Sequence, residues 1–293
     1  MAISKRPLVQ ELVGGQVHMQ HGPIDLVLRA WGAEREVEAA YRAAAIRFQS
    51  ILDELVSELP ELRKAMADRP LVKLPTAQRM CAACAPFDGF FITPMAAVAG
   101  AVADEMLAAM CGAARLHRAF VNDGGDIAVH LSPGQTLTVG VIGDFSRSAI
   151  PVENAELFLK AEMPVRGIAT SGAQGRSFSL GIADSVTVLA GTAAAADAAA
   201  SLIANAVNLD HPRVVRRAAR DLDPDSDLGD RLVTVLVPPL SPAEIAAALD
   251  KGVALAREFR ARGLIVDAAL TLQGQTTTLD TYLQPRAETG SGS

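Results

Sequence analysis

The segment from Thr93 to Cys111, "TPMAAVAGAVADEMLAAMC", constrains the fold more than any other part of the sequence. Thr93 followed by Pro94 is typical of a helix start, because threonine caps the first turn and proline fits the first helical position. The helix that follows is apolar on nearly all sides, so other elements must surround it. Asp104 and Glu105 interrupt the run, which is also too rich in alanine for a membrane span. We therefore predict a buried core helix.

Strand-like and helix-like segments follow one another in clusters along the rest of the chain. Clusters of strands separated by long helices indicate an α+β fold rather than the regular alternation of a parallel α/β protein. Helices are predicted over 34–59, 193–208 and 242–263, and strands over 16–21, 24–30, 119–131, 136–143, 165–172, 178–191 and 264–272. Capping-box spacing between Ser241 and Glu244 marks the start of the last helix.

The composition limits the domain organisation and the function. With 293 residues, half of them hydrophobic, we expect one domain over 1–284, or two intimately packed subdomains, and a flexible tail over 285–293. A net charge of −6 and 4% aromatic residues argue against a nucleic-acid partner. The N-terminus lacks the pattern of a signal peptide, and three cysteines do not suggest a disulfide framework. These features favour a cytoplasmic protein with no membrane partner.

Glycine-rich and hydroxyl-rich turns at strand ends are the first candidate site. They are Gly124–Gly125 in "VNDGGDIAVH", 169–172 in "ATSG", and 175–181 in "GRSFSLG". Small residues expose backbone N–H groups, and Thr170 and Ser171 add hydroxyls, a combination suited to phosphates or to a polar ring. Two glycines inside a strand also suggest the close approach of a ligand. Three ordinary tight turns are the alternative, which composition alone favours slightly.

The second candidate site lies at the start of the 193–208 helix. Asp197 stands in its first turn, and Ser201 follows one turn later on the same face. A carboxylate and a hydroxyl in this arrangement can hold Mg²⁺, which prefers oxygen ligands and keeps water or phosphate in its other positions. Alternatively, Asp197 only complements the helix dipole.

Five of these segments in their order resemble the ApbE-like superfamily, most of all its branch named uncharacterised protein family 0280. They are "TPMAAVAGAVAD", "VNDGGDIAVH", "IATSG", "GRSFSLGIADSVTVLA" and "ADAAAS". No single motif is specific, but together they cover roughly residues 86–208. The best-known members of the superfamily transfer FMN from FAD to a threonine of a flavoprotein. The resemblance therefore implies an ApbE-like fold, with antiparallel or mixed sheets and long packed helices.

The resemblance also implies roles for individual residues. The backbone carbonyl of Ala96 would join Asp197 and Ser201 around Mg²⁺. A cleft for FAD or FMN would be lined by the two glycine- and hydroxyl-rich turns with their neighbours, namely Gly124, Gly125, Asp126, Thr170, Ser171 and Gly172. Arg176 would contact an anion of the ligand, because its guanidinium offers a fork of donors to phosphate.

Two departures bear on the chemistry that the resemblance implies. Ala99 stands where the transferases carry a lysine for the FAD phosphates. The transferases also carry a catalytic histidine segment where this chain has "GRSFSLGIAD", and Arg176 occupies a position that is often histidine in the sister branch. We therefore expect FMN-transferase chemistry to be lost or altered, so whether the chain is an enzyme stays open.

The resemblance leaves other functions open. The chain could be a component of an N-heterocycle reductase of the 6-hydroxynicotinate type, an enzyme of a pterin-cofactor pathway, or a non-catalytic assembly subunit. The expected partner is a flavin or a nucleotide-like small molecule. A homodimer and a redox-protein partner are further alternatives.

Overall fold

A large antiparallel sheet organises the molecule. The structure is a computed structural model that describes residues 6–141, 155–173, 177–279 and 282–283. Its strands are β1 (Leu8–Leu12), β2 (Gln16–His21), β3 (Ile24–Gly32), β4 (Leu116–Asp123), β5 (Asp126–Leu131), β6 (Thr136–Val141), β7 (Ala155–Lys160), β8 (Gly167–Ser171), β9 (Ser185–Ala190), β10 (Val215–Ala218), β11 (Leu232–Leu236), β12 (Asp267–Leu272) and β13 (Gln275–Thr278). Nine of them form one sheet in the order β1-β2-β3-β4-β5-β8-β9-β12-β13, while β6–β7 and β10–β11 are separate two-stranded ribbons.

Helices cover one face of this sheet. The six helices of the described residues are α1 (Glu34–Leu62), α2 (Pro75–Cys84), α3 (Val98–Ala113), α4 (Ala193–Ala206), α5 (Ala219–Leu222) and α6 (Pro242–Ala261). The helix α1 packs on β2 and β3, α3 on β4 and β5, α4 on β8 and β9, and α6 on β12 and β13. The β6–β7 ribbon covers part of the opposite face, where Leu157 and Leu159 pack with Val129 and Ile168. The predicted α+β class, with antiparallel sheets and long packed helices, is confirmed.

The apolar segment predicted to be a core helix does lie in the core. A 3₁₀ turn, Pro94–Ala97, leads into α3, which packs between α1 and α4 and against the sheet. Pro94–Ala113 is also the one helical segment of the described residues that length and composition would allow to cross a membrane. Thr93 does not cap this helix as expected, because its hydroxyl donates to Asp227 at 2.5 Å.

Several predicted boundaries were wrong. The segment predicted as one strand over 119–131 is two strands, and the strand predicted over 178–191 is regular only in β9. The consecutive strands β5 and β6 belong to different sheets, because β5 pairs with β4 and β8 while β6 pairs with β7. Helix α1 continues past the predicted end at residue 59 to Leu62, with Pro60 inside its last turn.

Candidate functional site

Chain turns from across the sheet meet at one of its ends. The register pairs Asp123 with Asp126, so the β4–β5 turn lies just beyond them. On one side, Leu26 of β3 pairs with Asp123, which places the β2–β3 turn at this same end. On the other side β8 ends at Ser171, and Ser185 at the start of β9 pairs with Thr271 just before the β12–β13 turn. We call this the turn end of the sheet.

Gly124 and Gly125 form the two-residue turn between β4 and β5. Their φ angles of 62° and 120° lie in the region that favours glycine, so the turn itself requires both residues. The expectation of two glycines within a strand was therefore wrong. A Cβ atom added at Gly125 would meet no atom within 4 Å, and its N–H donates to Asn122 Oδ1 at 2.8 Å. The space beside the turn is open.

Two carboxyl groups meet beneath this turn. Asp126 is buried at the start of β5, and its Oδ1 accepts the backbone N–H of Thr170 at 3.1 Å. Asp197 reaches it from α4, and the two carboxyl groups share a hydrogen bond. A third acid, the buried Asp123, lies close enough to act on both electrostatically. The sheet and α4 together thus build a cluster of three acids, which we call the carboxyl cluster.

The pKa values of the cluster are raised. Burial raises the pKa of Asp197 to about 7, with the negative charge of Asp123 adding to the effect and the N–H groups of Gly100 and Ala99 opposing it. Burial followed by the charge of Asp197 raises the pKa of Asp126 well above its ordinary value. The raised pKa values favour a proton shared between the two carboxyl groups near neutral pH.

The position of Asp197 is fixed by a reciprocal contact between α3 and α4. Asp197 of α4 accepts the N–H of Gly100 at 3.1 Å, in the first turn of α3. Asp104 of α3 accepts in return the N–H groups of Ala193 and Ala194 at 3.1 and 2.9 Å, in the first turn of α4. Each helix thereby satisfies N–H groups that the start of the other leaves unpaired. The prediction that Asp197 lies in the first turn of its own helix was wrong, because α4 begins at Ala193 and its first turn holds no acid. Asp197 complements the start of the neighbouring helix α3 instead.

The other predicted site residues stand around the cluster with different roles. The hydroxyl of Thr170 pairs with that of Thr187 at 2.9 Å. Ser171 is half-buried, whereas Gly172 is required by packing, because a Cβ there would lie 2.2 Å from the carbonyl oxygen of Asp184. Ser201 is half-buried one turn after Asp197 on α4.

Two further predicted residues remain. Ala96 lies in the 3₁₀ turn just before α3, and its N–H donates to the carbonyl of Thr93 at 3.1 Å. Arg176 lies outside the described residues.

The carboxyl cluster lines neither of two cavities that lie among the described residues. One, of about 500 Å³, lies between β11 and the β12–β13 turn, lined among others by Ala173, Asp184 and Gln273. The other, of about 250 Å³, lies near the start of α4 and includes Asp104. Ala173 follows the "ATSG" segment, so the larger cavity adjoins the predicted cleft without coinciding with it.

Sequence reasoning missed two acids and one glycine that build this site. Asp104 and Asp197 carry the same signal, an acid within an otherwise apolar helical run, yet only Asp197 was singled out. Gly100 carries a related signal, a glycine within the same helical run. The structure explains this glycine, because a Cβ on it would lie 2.4 Å from the carbonyl oxygen of Ala193. Asp123 stands beside the glycine pair, at the end of β4. These positions could have suggested a group of buried acids, but the sequence does not show which acid contacts which.

Cys81 and Cys84 take no part in metal binding that the described residues reveal. Both are free thiols at the C-terminal end of α2, and burial raises the pKa of each. Within the described ranges, no group of three or more His, Cys, Asp or Glu side chains is arranged to hold a metal ion. A cation at the carboxyl cluster would therefore need oxygen ligands from the backbone, hydroxyls, water or a bound phosphate.

Comparison with known proteins places this chain in a family. A family model described as "AbpE bacteria" matches residues 9–278. A UPF0280 protein of Methanothrix thermoacetophila is 34% identical over 61% of this chain and 72% of its own length. A UPF0280 protein of Methanopyrus kandleri is 32% identical over 73% of this chain and 82% of its own.

Solved structures give more distant likenesses. The ApbE protein of Thermotoga maritima is 14% identical, with a TM-score of 0.48 over 92% of this chain and 96% of that one. The flavinyl transferase ApbE of Pseudomonas stutzeri, in its apo form, is 13% identical with a TM-score of 0.38 over 95% and 96%. The family match and the relatives confirm the resemblance drawn from the sequence, and the chain belongs to the AbpE bacteria family, as an ApbE-like protein of UPF0280.

Proposed function

We propose that this protein binds a flavin nucleotide together with Mg²⁺ at the turn end of the sheet, with FMN-transferase chemistry lost or altered. The observation that carries the proposal is the hydrogen-bonded pair of Asp126 and Asp197 beneath the open Gly124–Gly125 turn. Membership of an ApbE-like family supports a flavin as the ligand.

The chemistry of the carboxyl pair fits a hard divalent cation. Two buried carboxyl groups that share a proton are an unfavourable arrangement in the absence of a ligand, since desolvation and mutual repulsion both oppose ionisation. A cation replaces the shared proton and allows both groups to ionise. Mg²⁺ in particular binds through one or two carboxylates and completes its shell with water and substrate phosphates. Ser201 and the Ala96 carbonyl are the further protein ligands that we propose.

The backbone around the pair suits the phosphate end of a nucleotide. No atom lies within 4 Å of a Cβ built at Gly125, so a ligand can approach the main chain there. Ser171 at the end of β8 adds a half-buried hydroxyl next to Thr170. The amide of Thr170 is already engaged by Asp126, which leaves the Ser171 hydroxyl as the proposed donor to the ligand.

Calorimetric titration with FAD, with and without Mg²⁺, tests the proposal. We expect the unmodified protein to bind FAD more tightly in Mg²⁺. Asp197→Ala should weaken the Mg²⁺-dependent binding by about tenfold or more, because a lost contact to a charged group is worth about 1.5–3 kcal/mol.

Glu244→Gln is the matched control. Glu244 is likewise a helical acid that accepts a backbone N–H, but it lies in the first turn of α6 and its partners are Ser241 and His211. This variant should bind FAD like the parent. Equal binding by Asp197→Ala and the parent would remove the cation site, and an absence of FAD binding in both conditions would remove the proposed function.

A further inference from the structure

The two edges of the nine-stranded sheet differ in chemistry. The edge strand β13 has the sequence "QTTT", and its Thr276 hydroxyl pairs with that of Thr271 at 3.0 Å. The opposite edge strand β1 has the sequence "LVQEL", and all five residues are exposed. Among the described strands only β2 pairs with β1, so the outer edge of β1 presents unpaired backbone N–H and C=O groups. One edge is polar and short, and the other is apolar and open.

The side chains of β1 are uncovered on both faces of the sheet. Val9 pairs with Met19, whose side chain is buried on the helix side, so Val9 points to that side and yet remains 46% exposed. Leu8 and Leu12 point to the other side and remain 51% and 37% exposed. A long apolar edge of this kind is a template for pairing with another strand. Natural proteins usually protect such an edge with charges, a proline or a covering element, and here Glu11 is the one charged residue of the strand.

We infer that β1 is a dimer interface, at which it pairs antiparallel with β1 of a second copy about a two-fold axis through Gln10. Full overlap of two five-residue strands is reached only when the axis passes through the central residue, which is Gln10. Leu8 of each protomer then faces Leu12 of the other, so apolar pairs lie on both sides of the axis. The two Gln10 side chains meet on the axis, where their amides can donate to and accept from each other.

A second copy fits this edge because of its own charge and sequence pattern. An isologous contact must be self-complementary, and the antiparallel register meets this condition by setting leucine against leucine. It also sets Glu11 opposite Val9 rather than opposite a second Glu11, whereas a parallel in-register pairing would put the like charges side by side. The sheet then runs continuously through both protomers. Because β1 starts at the turn end, the two candidate sites lie at opposite ends of the joined sheet.

Sedimentation analysis over a range of concentrations tests the dimer. The unmodified protein should reach twice the mass of the chain. Val9→Lys should sediment as a monomer with an unchanged circular dichroism spectrum, since the side chain is already half-exposed and a lysine on an edge strand opposes pairing. Leu236→Lys is the matched control, because Leu236 is a comparably exposed apolar residue on the β10–β11 ribbon. It should remain dimeric.

Disulfide trapping tests the register. Opposed residues of antiparallel strands have Cα atoms about 4.5–5.5 Å apart, which lies within the range for a disulfide. Gln10→Cys should therefore form a covalent dimer under mild oxidation. Thr277→Cys on the β13 edge should not, and neither should the unmodified protein with its own three cysteines. A monomer at every concentration, a dimer that survives Val9→Lys, or a dimer that Leu236→Lys dissociates would each overturn the inference.

Discussion

Asp197 has two tasks that conflict electrostatically. Its carboxylate accepts N–H groups at the start of α3, and these interactions favour the ionised form. Burial and the negative charge of Asp123 oppose ionisation, a hydrogen bond from Asp126 favours it, and the balance leaves the pKa of Asp197 at about 7. A group used only to hold two helices together would be more stable without the acids around it. The cluster therefore stores repulsion that a bound cation relieves, and such local instability is typical of binding sites.

This repulsion gives a pH-dependent stability prediction for Asp197→Asn without divalent cations. The pKa of Asp197 is about 7 in the folded protein, above the 3.8 of a free aspartate, so folding binds a proton and the native protein loses stability as pH rises between about 4 and 7. Asparagine keeps the shape and an acceptor for Gly100 but does not ionise. The melting temperature of Asp197→Asn should match that of the parent near pH 4 and exceed it near pH 8. At pH 8 the free energy of unfolding of the variant should be higher by up to about a few kcal/mol.

Thermal unfolding in a chelator at several pH values measures this difference. Asp250→Asn, on the exposed side of α6, is the control and should give the same melting temperature as the parent throughout. A variant that is less stable than the parent at pH 8 would mean that the contacts of Asp197 with α3 outweigh the repulsion.

At the scale of elements, the crossing of α3 and α4 determines where the carboxyl pair forms. The crossing depends on small residues, because the backbone of Gly100 lies against the first turn of α4. Gly167 in β8 is equally restricted, since a Cβ there would lie 2.0 Å from the carbonyl carbon of Thr192. The alanine-rich sequence of α4 follows from the same closeness, as most of its residues are fully buried against β8, β9 and α3.

Two glycines of α3 provide a matched test of this packing. Gly100→Ala should destabilise the protein by about 1–3 kcal/mol, the usual cost of overpacking, because its Cβ would press on backbone 2.4 Å away. Gly112→Ala should be neutral or stabilising by up to about 1 kcal/mol, since nothing lies within 4 Å and alanine favours a helix. Chemical denaturation of both variants measures the two effects. Equal effects of the two substitutions would show that α4 shifts freely away from α3.

The elements with a strong local signal could be predicted from the sequence. The capping box of Ser241 and Glu244 forms as expected, and the apolar segment before Cys111 is a core helix. The strand β1 could not be predicted, because both its faces are exposed and "LVQEL" has no alternating pattern. The carboxyl pair joins residues far apart in the sequence, so only the register of β5 with β8 and the crossing of two helices bring it together.

For the whole molecule, the question is whether a protein with the proposed flavin site would also transfer FMN. Ala99 lies in the first turn of α3, and its N–H is directed to Asp197. Its methyl group gives no positive charge beside the carboxyl cluster, where the resembling transferases have a lysine for the FAD phosphates. A transferase must stabilise the charge that develops when the pyrophosphate bond breaks, and a fixed cation makes a large contribution to this. The proposed site would therefore bind FAD through Mg²⁺ and yet lack a group that the reaction needs.

We accordingly predict no FMN transfer onto a protein threonine. Incubation with FAD, Mg²⁺ and a flavoprotein acceptor should leave the acceptor without covalent flavin, as read from its mass and its fluorescence after denaturation. FAD binding is measured in the same buffer, so that an inactive but loaded protein is distinguished from an empty one. Ala99→Lys introduces the missing charge at the start of α3, and it should tighten FAD binding even where transfer stays absent, because a lysine beside the carboxyl cluster would attract the phosphates of the proposed ligand. Covalent labelling of the acceptor by the unmodified protein would show that Mg²⁺ and the remaining residues are sufficient for the reaction.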